Sequence, residues 1–188
     1  MSLQTWQETL VTAQVAGTLF NTYTTAKTVL PVGCLVTLPA NWWYIGRVIR
    51  IRVIGALSNI VTTPGTLTLQ MMQGAVVAGS SGALQLSTTA HTLVPFIAEG
   101  YFTCRSVGSG TSATIMPQWL ITSQAIKATA VADSTTGHES LLGPNTAPAV
   151  GTGFDSTAAQ TLDFFAGFSI SNAGNGIQVQ QYMVEALN

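Results

Sequence analysis

The sequence predicts an all-β protein: an antiparallel β-sandwich, jelly-roll-like, of about eight to ten strands. Three observations carry this. Stretches such as Arg47–Leu57 and Thr161–Ile170 alternate large apolar residues with polar ones, the period of a strand with one face inward. Clusters of Gly, Pro, Asn and Ser recur between these stretches at the close spacing of antiparallel β domains. No segment holds a helical period beyond three turns, and no repeat of fixed length appears.

Taken in order, Trp6 to Phe20 is rich in Thr and Val and reads as a strand broken at Gly17, with a short helix at its start as the alternative. From Tyr23 to Leu38, Pro31 and Pro39 argue for edges and turns, because proline cannot donate to a central ladder. Pro39 to Gly46 forms a compact aromatic corner. Arg47 to Leu57 is the clearest strand of the first half, with Ile49, Ile51, Val53 and Leu57 on one face and Arg50 and Arg52 on the other. A loop over Ser58–Gly65 leads to Thr66–Gln73, which alternates Leu67, Leu69 and Met71 against Thr66, Thr68 and Gln70. A short AVVA strand, a GSSG turn and the strand ALQLST follow. His91 to Ser106 reads as a longer strand kinked at Pro95 and Gly100, and Ser112 to Gln124 as the next one. Asp133 to Gly153 has no sustained period and reads as a long loop, of the kind that is usually functional or disordered.

The final stretch organises the rest. Leu162, Phe164, Ala166, Phe168 and Ile170 share one face; Asn175-Gly176 offers the residues a tight type I′ hairpin turn needs; Ile177 and Val179 then face inward. Beyond them Tyr182, Val184 and Ala186 carry the apolar phase. The change of phase at Gln180-Gln181 predicts a β-bulge, since one extra residue swaps the faces.

With 188 residues the chain suits one domain spanning 1–188, with an N-terminal arm at 1–8. Charged residues are 7% of it, against roughly 25% in an average soluble domain. Six Lys/Arg and seven Asp/Glu cannot cover such a surface, so burial against other chains is expected. The formal net charge of −1 gives no footprint for nucleic acid or an anionic membrane. No apolar run approaches the ~20 residues of a membrane-spanning helix. The first residues show no secretory pattern, which points to synthesis in a cytoplasm. Cys34 and Cys104 lack any metal-binding spacing and are expected as buried free thiols.

No residue set carries catalysis. His91 opens a strand, His138 lies in the long loop beside Glu139, and the seven carboxylates are scattered without motif spacing. Asp133 and Asp155 each begin Asp-Ser-Thr, where an Asx-type turn is the ordinary role. No cofactor, metal ion or catalytic residue is expected. Arg47, Arg50 and Arg52 are half of the basic residues; pairing on the sheet face with Glu99 or Asp163, or a salt bridge between subunits, fits them better than nucleic acid. Trp42, Trp43 and Tyr44 read as interface or core aromatics, with a sugar-binding platform as the alternative.

Four segments, in order, carry a resemblance: LPANWWYIGRVIRIRVIGALS, PGTLTLQMMQG, FTCRSVGSGTSA and FDSTAAQTLDFFAGFSISNAGNGIQVQQYMVEALN. Together they resemble small virion structural proteins of tailed bacteriophages. The resemblance covers most of the chain outside Asp133–Gly153. It implies a non-enzymatic jelly-roll subunit of the virion, trimeric, such as a head decoration (cement) protein bound to the major capsid protein, or a small fibre or tail component. Trp42, Trp43, Tyr44, Arg50 and Arg52 are then the expected interface residues. The alternative is a tail or fibre-associated module that recognises host surface glycans.

Overall fold

In a computed structural model, which describes residues 7–127, 139–144 and 146–187, the chain forms two antiparallel sheets packed face to face. The strands are β1 (Gln7–Thr12), β2 (Phe20–Asn21), β3 (Lys27–Thr28), β4 (Val36–Leu38), β5 (Val48–Asn59), β6 (Thr66–Gln73), β7 (Val76–Gln85), β8 (His91–Ser106), β9 (Thr114–Ser123), β10 (Glu139–Gly143), β11 (Gln160–Phe168) and β12 (Gly176–Leu187). The first sheet runs β1-β12-β5-β8-β9-β10, with β2 also on β12; the second runs β3-β11-β6-β7, with β4 also on β11. Without β2, β9 and β10, and with β3 and β4 taken together as one edge, the chain crosses between the two sheets at every step except the β6–β7 hairpin, and it returns β11 and β12 between earlier strands. That is the double Greek key of a jelly roll. β9 and β10 widen the first sheet beyond it. The tally exceeds the expected ten because β2 and β3 are two-residue pairings and β10 lies inside the segment read as loop.

The inward faces are those the alternation predicts. Ile49, Ile51, Val53 and Leu57 on β5, and Leu162, Phe164 and Ala166 on β11, have no exposed surface. Phe164 of the second sheet sits between Trp119 (5.9 Å) and Tyr182 (6.4 Å) of the first, and Phe102 meets Trp119 edge-on at 4.9 Å. The register of β12 on β5 slips between Val179 and Gln181, so Gln180 is the bulged residue and Tyr182, Val184 and Ala186 point inward. Burial pushes the Tyr182 hydroxyl well above its ordinary pKa. Cys34 and Cys104 are buried and free, and burial raises both thiols.

Several expectations fail for identifiable reasons. Asn175-Gly176 is not a hairpin turn: β11 and β12 lie in different sheets, and neither residue adopts positive φ. Asn175 is instead buried, with Nδ2 donating to the Pro64 carbonyl at 2.8 Å and Oδ1 accepting from the Ile60 N–H at 3.0 Å. GSSG is not a turn either but the bulged middle of β7. A Cβ on Gly79 would lie 2.8 Å from the Phe102 ring, and the Ser81 hydroxyl accepts the Leu69 N–H where the ladder slips. The β6–β7 turn is at Gly74, φ +57°. In β8 the irregularities fall at Leu93, φ +51°, and between Cys104 and Ser106, rather than at Pro95 or Gly100. Gln7 and Glu8 belong to β1, not to a free arm; residues 1–6 lie outside the described residues. Past Thr12 no strand forms until Phe20, though Ala13 and Gly17 still donate to Tyr182 and Val179.

Candidate functional site

The corner before β5 gathers three aromatic rings, but they do not share one fate. Trp43 is 5% exposed and belongs to the core, edge-on to Phe154 at 6.1 Å. Of the two readings, interface or core, Trp43 takes the core one: its ring is covered by its own chain. Trp42 is half-buried and Tyr44 is exposed. Arg47 lies over both, 4.0 Å from the Trp42 ring centre and 4.4 Å from that of Tyr44, and donates to the Trp42 carbonyl. Its guanidinium therefore occupies one face of each ring, the kind of surface on which a sugar would stack.

Arg50 and Arg52 do project from the outer face of the first sheet, as the alternation requires. Their partners differ from expectation. Arg50 pairs with Glu185 of β12, Nε to Oε2 at 2.6 Å, and Gln7 donates to the other carboxylate oxygen. Glu185 is only 5% exposed, so this is an ion pair inside the chain rather than one between subunits. Asp163 is out of reach on the other sheet, where it accepts from Thr28 at 2.7 Å and burial raises its pKa. Arg52 is exposed, faces Glu99 across the ladder and forms no ion pair among the described residues. Tyr101, opposite Arg50, donates to Glu99 at 2.7 Å.

Register extends this face into rows. One runs Met183, Arg52, Glu99, Leu120, Leu142 from β12 to β10. The next runs Gln181, Ile54, Ile97. Ile97, Leu120 and Leu142 are 39%, 48% and 67% exposed, an aliphatic strip beside the charges of Arg52 and Glu99. Sequence reasoning missed this strip because Leu142 lies in the segment read as loop. In β10, Leu141 packs toward the core and Leu142 points out, a two-residue alternation too short to read alone.

Arg50→Met is expected to cost about 2–3 kcal/mol in urea unfolding, discounted for the partly exposed arginine, because Glu185 stays desolvated without its countercharge. Arg50→Met/Glu185→Leu should recover most of that loss. A single-variant loss below about 0.5 kcal/mol would show that the pair contributes no more than an ordinary surface bridge.

The other sequence candidates do not converge. His91 is buried, with Nδ1 3.0 Å from the Asn59 side-chain oxygen. His138 and Asp133 lie outside the described residues. Asp155 accepts from the Thr157 N–H and hydroxyl at 2.8 and 2.6 Å, the Asx-type turn its sequence implied. Among the described residues no three His, Cys, Asp or Glu side chains gather as a metal site would require.

No family model matches this chain, and no curated protein does. Among solved structures it shows weak likeness to the CBM2 module of the evolved Dit of Lactobacillus casei BL23 phage J-1. That overlay has TM-score 0.34 and 11% identity, covering 99% of this chain and 98% of that one. A second is winged bean acidic lectin complexed with methyl-alpha-D-galactose, TM-score 0.27 and 9% identity, over 98% and 100% of the two chains. Overlays this loose carry no argument about function.

Proposed function

We propose that the protein is a non-enzymatic structural subunit of a bacteriophage virion, of the head-decoration type, which works by contact. The observation that carries this reading is the aliphatic strip of Ile97, Leu120 and Leu142 beside Arg52 and Glu99 on the outer face of the first sheet. An apolar centre with a charged margin is the ordinary anatomy of a protein interface. The low charge of the chain and its resemblance to virion proteins support the same reading. Copies assemble as trimers, and neighbouring capsid subunits cover this face. Arg52, Tyr44 and Trp42 remain available as contact residues; Arg50 and Trp43 serve the fold. Glycan recognition at the aromatic corner is the weaker reading, because Arg47 already lies over both rings.

The test is solution mass by light scattering, then mixing with capsid shells stripped of accessory proteins. The expected result is a trimer that binds shells at fixed stoichiometry. Leu120→Glu/Leu142→Glu should weaken that binding about thirtyfold or more, the loss of one central contact, while thermal unfolding barely moves. A monomer that ignores shells overturns the proposal.

A further inference from the structure

The two outer faces of the sandwich differ in chemistry. The first carries Arg50, Arg52, Glu99 and Glu185 with the aliphatic strip. On the second, where Thr28 holds Asp163, β6 and the residue after β11 present Thr66, Thr68, Gln70 and Ser169, all uncharged. Between these side chains and Thr24 lies a groove of about 270 Å³, which no charged residue among those described lines. Thr68 stands opposite Gly167 across the ladder, so no side chain covers its hydroxyl from β11. Gln70 stands opposite Phe165, whose half-buried ring lies outside the groove's lining. Among the described residues neither the Thr68 hydroxyl nor the Gln70 amide has a hydrogen-bond partner, whereas Ser169 accepts the Thr66 N–H at 2.8 Å.

This pattern fits neither docking nor an ionic ligand. A dry protein interface over these groups would leave them unpaired, at a cost that burial of so little apolar surface would not offset. An anion or cation would find no countercharge. A neutral polyol meets both conditions: each of its hydroxyls donates and accepts, as do Thr and Gln side chains. The volume falls just under the roughly 300–1,000 Å³ of drug-sized sites, which suits a single ring.

We propose that this groove binds a neutral saccharide through Thr68 and Gln70. The site is independent of the virion reading, since it lies on the opposite sheet from the strip that would contact the shell.

The experiment is saturation-transfer NMR on the full chain with D-glucose, D-galactose, N-acetyl-D-glucosamine and L-rhamnose, followed by titration of those that respond. At least one is expected to bind. Thr68→Val keeps the side-chain shape, and Gln70→Leu keeps most of its volume. Each should weaken binding about tenfold, the effect of one lost hydrogen bond to the ligand, with the thermal midpoint unchanged. Leu120→Glu/Leu142→Glu should leave saccharide binding untouched. Absence of a response from all four sugars overturns the proposal, as does binding that survives both groove substitutions.

Discussion

Asn175→Ala is expected to remove about 3–4 kcal/mol of stability, whereas Gly176→Ala should cost about 1 kcal/mol or less. Asn175 has no exposed surface, and its side chain joins three segments: it accepts from Ile60, donates to Pro64 and reaches the Ile170 carbonyl at 3.5 Å. Alanine would strand the Ile60 N–H and the Pro64 carbonyl where little water reaches them, and each such group costs about 1–3 kcal/mol. Gly176 lacks positive φ, and a Cβ there would first meet the tip of Leu19 at 3.1 Å, an exposed side chain able to move. A type I′ hairpin would give the reverse order, because its glycine sits at positive φ and its asparagine tolerates glycine. Urea unfolding of the two variants therefore separates the two geometries. If Gly176→Ala proves the costlier change, β11 and β12 pair directly and the strand order is wrong.

That contrast shows where sequence reasoning stopped. Alternation reports which residues share a face, and it gave the inward rows of β5, β11 and β12 together with the bulge at Gln180. It does not report which strand lies alongside. β11 and β12, adjacent in sequence and joined by a turn-forming pair, read as partners, yet the jelly-roll wrap sends them to opposite sheets. The site divides in the same way. Arg50 was legible as outward-facing, but its partner Glu185 lies 135 residues away and no local pattern links them. In the aromatic corner even the face was hidden. Trp42, Trp43 and Tyr44 lie outside any strand, so period-two parity does not apply, and only packing against Phe154 turns Trp43 inward. The uncharged rows of β6 were visible as Thr-Leu-Thr-Leu-Gln. Their pairing with Gly167, which opens the groove, was not.

Gly55→Ala should be more damaging still, with an expected loss of about 4 kcal/mol or more, a large part of the ~5–15 kcal/mol that holds a typical domain. The inward row of β5 runs Ile49, Ile51, Val53 and Leu57, and it skips position 55, where glycine stands. Gly55 pairs with Val179 on one side and Phe96 on the other, directly before the bulged Gln180. A Cβ at Gly55 would sit 2.1 Å from the Gln178 carbonyl oxygen and 2.8 Å from the Phe96 ring. The first obstacle is backbone, so no rotamer change relieves it, and withdrawing Gln178 would pull on the register of β12 where the bulge sets it. The missing side chain on β5 and the phase change on β12 are thus two halves of one feature: the bulge needs the room that the glycine leaves. The consequence reaches the first sheet's outer face, since the same register places Glu185 beside Arg50 and Met183 beside Arg52. Circular dichroism with urea unfolding measures the loss. A Gly55→Ala protein within about 1 kcal/mol of the parent would mean that β12 crosses β5 without the bulge, with Tyr182, Val184 and Ala186 turned outward.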